Sequence, residues 1–95
     1  MLAVGVCRLQ MHIEASGSLK DKRQIVRSVT NRMRQRFNVA VAEVEDLDNW
    51  NLATIGIVCV SNDGSYTQAV LSKAVDWLEH ERLDVEIGDY SIEVW

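Results

Sequence analysis

The side chains best suited to chemistry are the cations Lys20, Lys22, Arg23, Arg27 and Arg34, and the chemistry they suit is anion binding. They lie in the segment 18–37, SLKDKRQIVRSVTNRMRQRF, together with Arg32 and Arg36. Seven of the chain's ten Lys and Arg fall here, against a single acid, Asp21. The segment therefore carries +6 within a chain of net charge −4, and the remainder carries −10. Such segregation suits a surface specialised for an anionic partner. Arginine forks pair bidentately with phosphate oxygens. Neutralised phosphates release counterions, so binding of this kind weakens with salt. The competing reading is a solvated helix face, with Arg present because it favours helices.

Other polar residues support no reaction. His12 and His80 are far apart in sequence, and a general base needs a nucleophile or acid within reach. Glu45, Asp46 and Asp48 precede Trp50 and offer hard oxygen ligands. The simpler reading is a solvated turn, with Trp50 anchoring it. Ser61-Asn62-Asp63-Gly64 reads as a helix cap, since the glycine pattern and GK[ST] of a phosphate loop are missing. Cys7 and Cys59 sit in apolar strand-like runs and read as buried, reduced thiols. With His12 and His80 they do not make a zinc spacing. The expectation is a protein with no catalytic residues, no cofactor and no metal.

The elements that must position the cations follow from periodicity. Residues 2–13 alternate, with Ala3, Gly5, Cys7, Leu9, Met11 and Ile13 on one face, which predicts a half-buried strand. Glu14-Ala15-Ser16-Gly17 breaks the pattern. Ser18 is a suitable N-cap, and Asp21 three residues on resembles a capping box. With Lys20 at 0°, Ile25, Val26, Val29, Met33 and Phe37 fall at about 140–260° around a helix. Lys20, Arg23, Arg27 and Arg34 fall at about 300–360°, flanked by Gln24, Asn31 and Gln35 at about 20–60°. This places a basic face opposite an apolar one. Lys22 and Arg36 project near the apolar stripe, where long side chains near helix ends can snorkel outward.

Residues 38–45 predict a strand whose inward face is ambiguous, since Val39 and Val41 compete with Ala40, Ala42 and Val44. Residues 46–51 are turn-forming, and 52–60 predict an apolar strand. A second helix runs from the 61–64 cap to about Arg82, burying Val70, Leu71, Ala74, Val75, Trp77 and Leu78. Residues 84–95 predict a last strand broken near Gly88-Asp89. The order β-α-β-β-α-β fits a ferredoxin-like plait, an antiparallel sheet with both helices on one face.

The 95 residues suit a single domain spanning 1–95, and 47% apolar composition suits one core. No run approaches the roughly 20 apolar residues that cross a bilayer. The N-terminus lacks the basic start and cleavage site of a signal peptide, so the expected location is the cytoplasm.

SLKDKR (18–23) after the VGVCRLQMHI strand, RFNVAVAEV (36–44), Trp50 with Ala53, Thr54 and Gly56, and VSND (60–63) occur together at these spacings. In this the chain resembles the uncharacterised YlxP-like family of small bacterial proteins over nearly its whole length. The resemblance implies a ferredoxin-like plait. It also implies genomic company with translation factors, hence ribosomal or RNA work. It carries no catalytic residues.

The expected function is therefore a non-enzymatic accessory protein that meets structured RNA or the ribosome through the basic first helix. The alternative is a homo-oligomeric interaction module whose basic helix meets an acidic partner. A small-molecule binder rests on fold analogy alone. Base stacking on the sheet is not expected, because residues 2–13 and 52–60 contain no aromatic. Val4, Val6, Val58 and Val60 instead leave an apolar face, and the expectation is a homodimer packed sheet to sheet.

Overall fold

Period-two alternation folds as predicted into β1 (Ala3–His12), whose odd-numbered residues are buried. A computed structural model describes residues 1–14, 17–82 and 84–95. Part of the predicted break after β1, at Ala15 and Ser16, lies outside the described residues. Next come α1 (Leu19–Arg36), β2 (Ala40–Glu45), β3 (Leu52–Ser61), α2 (Gly64–Glu81) and β4 (Glu86–Val94). The strands form one antiparallel sheet in the order β2-β3-β1-β4. The buried residues of β1 and β3 pack in one core with residues of both helices, so both helices cover the same face. The fold is the ferredoxin-like α+β plait.

Local chemistry sets the boundaries. Ser18 Oγ accepts from the Asp21 amide at 3.1 Å and caps α1. Asp63 Oδ1 accepts from the Ser65 amide at 3.0 Å and caps α2. Ser61 Oγ ties the same turn to Thr67 Oγ1 at 2.6 Å. The N-terminus of α2 is thus filled by the chain's own carboxylate. Phe37 and Trp77 meet edge to face, 6.2 Å between centroids, where the helices approach each other.

The ambiguity of β2 resolves through a bulge. Val41 turns to the core, while Ala40 and Ala42 lie exposed opposite Val58 and Gly56. The register then shifts between Glu43 and Glu45, which leaves Val44 over Gly56 on the open face. A second irregularity, between Leu9 and Met11 against β4, falls at the predicted break near Gly88-Asp89.

Glycine at position 5 lets α2 approach β1 closely. A β-carbon there would collide with Thr67 Cγ2 and lie 2.6 Å from Leu71 Cδ1. Thr67 and Leu71 are both fully buried and have little room to yield. Gly5→Ala should therefore destabilise the fold by about 1–3 kcal/mol through overpacking, read as a lower urea midpoint. An unchanged midpoint would mean that α2 shifts freely.

Cys7 and Cys59 are both free and buried, as expected for core thiols. Burial pushes the Cys7 thiol up to about 11 and raises that of Cys59. Since the thiolate is the reactive form, neither should react with a thiol reagent at neutral pH in the native state. Both should react on unfolding in urea. Rapid labelling of the folded protein would contradict this packing.

Candidate nucleic-acid interface

The eighteen-residue stretch that carries the cations, α1, is helical because its apolar residues recur at helical spacing and Ser18 opens it. Its outer face carries Lys20, Arg23, Arg27 and Arg34, all exposed as the helical angles predict. Arg23, Arg27 and Arg34, with Thr30 and Asn31, line one wall of a groove whose other wall is β2, at Ala42 and Glu43. From Arg23 to Arg34 the helix rises about 16 Å. Lys20 stands beyond the end of this lining. Arg32, Gln35 and Arg36 line a separate shallow depression on the adjoining side of α1.

Arg34 is the best-held member. Its Nη1 donates to Asn31 Oδ1 at 2.8 Å, and its Nη2 donates to the Val41 carbonyl at 2.8 Å. The guanidinium thus bridges α1 to the edge strand β2. Both acceptors are neutral, so its charge is not cancelled. Among the described residues, Lys20, Arg23, Arg27, Arg34 and Arg36 make no ion pair. Arg32 reaches only the field of Asp84, whose carboxyl is held low chiefly by its hydrogen bonds from Arg82.

Lys22 departs from the expectation. It is 0% exposed and cannot meet a polyanion. At about 200° on the same helical angles it sits at the centre of the apolar arc, not its margin. Its stem lies in the core, and its amine ends on the β2–β3 turn. Nζ donates to the Asp46 carbonyl at 2.7 Å, with the Leu47 carbonyl at 3.5 Å. Glu43 Oε2 lies 2.7 Å away. That oxygen is off the hydrogen-bonding direction, so it contributes charge more than a directed bond. Inward acceptors replaced snorkelling because the turn folds over the helix start.

The acids before Trp50 are likewise engaged separately. Glu45 receives a bidentate fork from Arg8 at 2.9 and 2.7 Å. Asp46, at φ 62°, accepts from Thr54 Oγ1 at 2.6 Å. Asp adopts that left-handed region more readily than most residues. Among the described residues no group of three or more His, Cys, Asp and Glu could hold a metal ion. Trp50 does not anchor the turn; it is 52% exposed, and the Lys22 and Thr54 bonds do that work.

The histidines stand apart. His12 lies exposed on the open face, opposite Glu86. His80 contacts the Asp76 carbonyl at 2.8 Å, which raises its pKa. At the same C-terminal end of α2, Arg82 forks onto Asp84 at 2.9 and 2.7 Å and reaches Ser28 on α1 at 3.0 Å. The sequence reading missed this clip, the Arg8–Glu45 pair and the Lys22 anchor, because each joins residues distant in sequence or selected by a turn. The one available signal was Lys22's helical angle. No helix among the described residues is long and apolar enough to cross a membrane.

The architecture is thus an α+β plait with an uncompensated cationic ridge on its first helix. The family described as "Protein of unknown function (DUF503)" matches residues 4–92, and the chain belongs to it. The chain is similar to the uncharacterised protein YlxP of Bacillus subtilis (strain 168), 28% identical over 76 residues. The match covers 80% of this chain and 83% of that relative.

Proposed function

We propose that this protein is a non-enzymatic accessory factor that holds the phosphate backbone of structured RNA along α1. The observation behind this reading is the ridge itself. Arg23, Arg27 and Arg34 line one groove, with no carboxylate paired to any of them among the described residues. Lys20 extends the ridge at one end. Phosphate contacts position a protein without reading sequence. Among the described residues no aromatic lines the groove, so the reading is of backbone and shape rather than of stacked bases. The company that YlxP-like proteins keep with translation factors points the same way.

The test is retention on ribosomal subunits or a structured RNA across a salt series, with and without nuclease. Three to four phosphate contacts predict a slope of log K against log salt of roughly −3 to −4. Retention that survives nuclease would favour the alternative, an acidic protein partner on the same ridge. Retention that ignores salt would defeat both.

A further inference from the structure

The open face of the sheet carries a second surface, independent of the ridge. At one end, Val60, Val4 and Trp95 lie in a row across β3, β1 and the residue after β4. The Val4 and Trp95 backbones exchange hydrogen bonds at 2.9 and 2.7 Å, which fixes the tryptophan beside Val4. The next row holds Ala40, Val58 and Val6, with Glu93 at its β4 end. Trp95 is 72% exposed and Val60 56%. An apolar block this contiguous is unusual on a lone surface.

We propose that a second copy of this chain covers this face, making a symmetric sheet-to-sheet homodimer. Three features select that occupant. The first is size. Four strands of ten, six, ten and nine residues, at about 3.3 Å per residue and about 4.8 Å apart, give roughly 550 Å² in projection. Side-chain relief raises this toward the roughly 800 Å² per partner of a standard interface. The second is charge. Arg8 is already neutralised by Glu45, and the other acids, Glu93 and Glu86, lie on the outer strand β4. An anionic polymer or an anionic membrane would be repelled by those acids. The third is shape. With the two-fold axis along the strands, β4 of one copy lies over β2 of the other, and β1 over β3. The bulky Trp95 then closes over the space beyond the start of the partner's short β2, one row past Ala40, and each apolar block meets the other. A two-fold interface has to be self-complementary in this way.

Sedimentation equilibrium on the wild-type chain and on a Val58→Glu plus Val60→Glu variant tests this. Both valines are exposed, so the variant should keep its fold, checked by circular dichroism and urea unfolding. The wild type should be a dimer at micromolar concentration. The variant should dissociate with a constant raised roughly a thousandfold or more, because each copy would carry two unpaired carboxylates into an apolar contact. Cross-linking of Trp95→Cys to Ala40→Cys between copies should form readily. A monomeric wild type, or a dimer that survives in the folded variant, overturns the proposal. So does a dimer broken only by substitutions along the outer edge of β2 or β4.

Discussion

Lys22→Ala is expected to cost about 3–5 kcal/mol of stability, the range for removing one partner of a buried ion pair. The amine is fully buried, and the Glu43 side chain is 14% exposed, so truncation leaves a carboxylate with little water to turn to. It also removes the bond from Nζ to the Asp46 carbonyl, which keeps only the Asn49 amide at 3.1 Å, so the β2–β3 turn loses its tie to α1. A domain of this size has roughly 5–15 kcal/mol in total, so the variant would sit near the edge of folding. Urea unfolding with a fitted m-value measures it. The pair Lys22→Met with Glu43→Met should recover part of the loss, because well-packed apolar residues replace both charges at once. A loss under about 1 kcal/mol for the single variant would mean that the amine escapes to solvent and that the β2–β3 turn stands without it.

Arg23→Glu with Arg27→Glu should abolish most RNA retention, on the order of 100-fold or more. Charge-assisted hydrogen bonds contribute about 1.5–3 kcal/mol each, and reversal adds repulsion. The salt slope should fall by about two, one for each lost phosphate contact. These two arginines are preferable to Arg34, which also holds the Val41 carbonyl and so mixes binding with stability. Both are exposed and make no hydrogen bond or ion pair through their side chains among the described residues, so the folded population should not change. Unaltered retention by a folded variant would remove α1 from the binding surface.

How much of this was legible differs between the framework and the contacts. β1 and α1 were readable because each has a clean period and, for α1, a cap whose side chain bonds where the rule puts it. β2 was not, since valine and alanine fill both of its faces and the bulge at Val44 is set by β3, not by β2 itself. The outward arginines were readable from angle alone. Lys22 was misjudged because its angle fixed its direction but not its surroundings: a lysine among apolar neighbours can reach water or reach inward acceptors. The turn that supplies those acceptors begins more than twenty residues later. Trp95 escaped notice as part of a surface because only strand register places it beside Val4.

Both helices lie on a single side of the sheet. Joined through the bare side, two chains would present their arginine rows at opposite poles, back to back. Such a particle would work as a double-ended clamp. It could hold two remote stretches of one folded polymer at once, and the second grip would be strengthened by nearness rather than by any new contact. Its apparent affinity would then report how a target is folded, while a short isolated fragment would bind at one pole only and weakly.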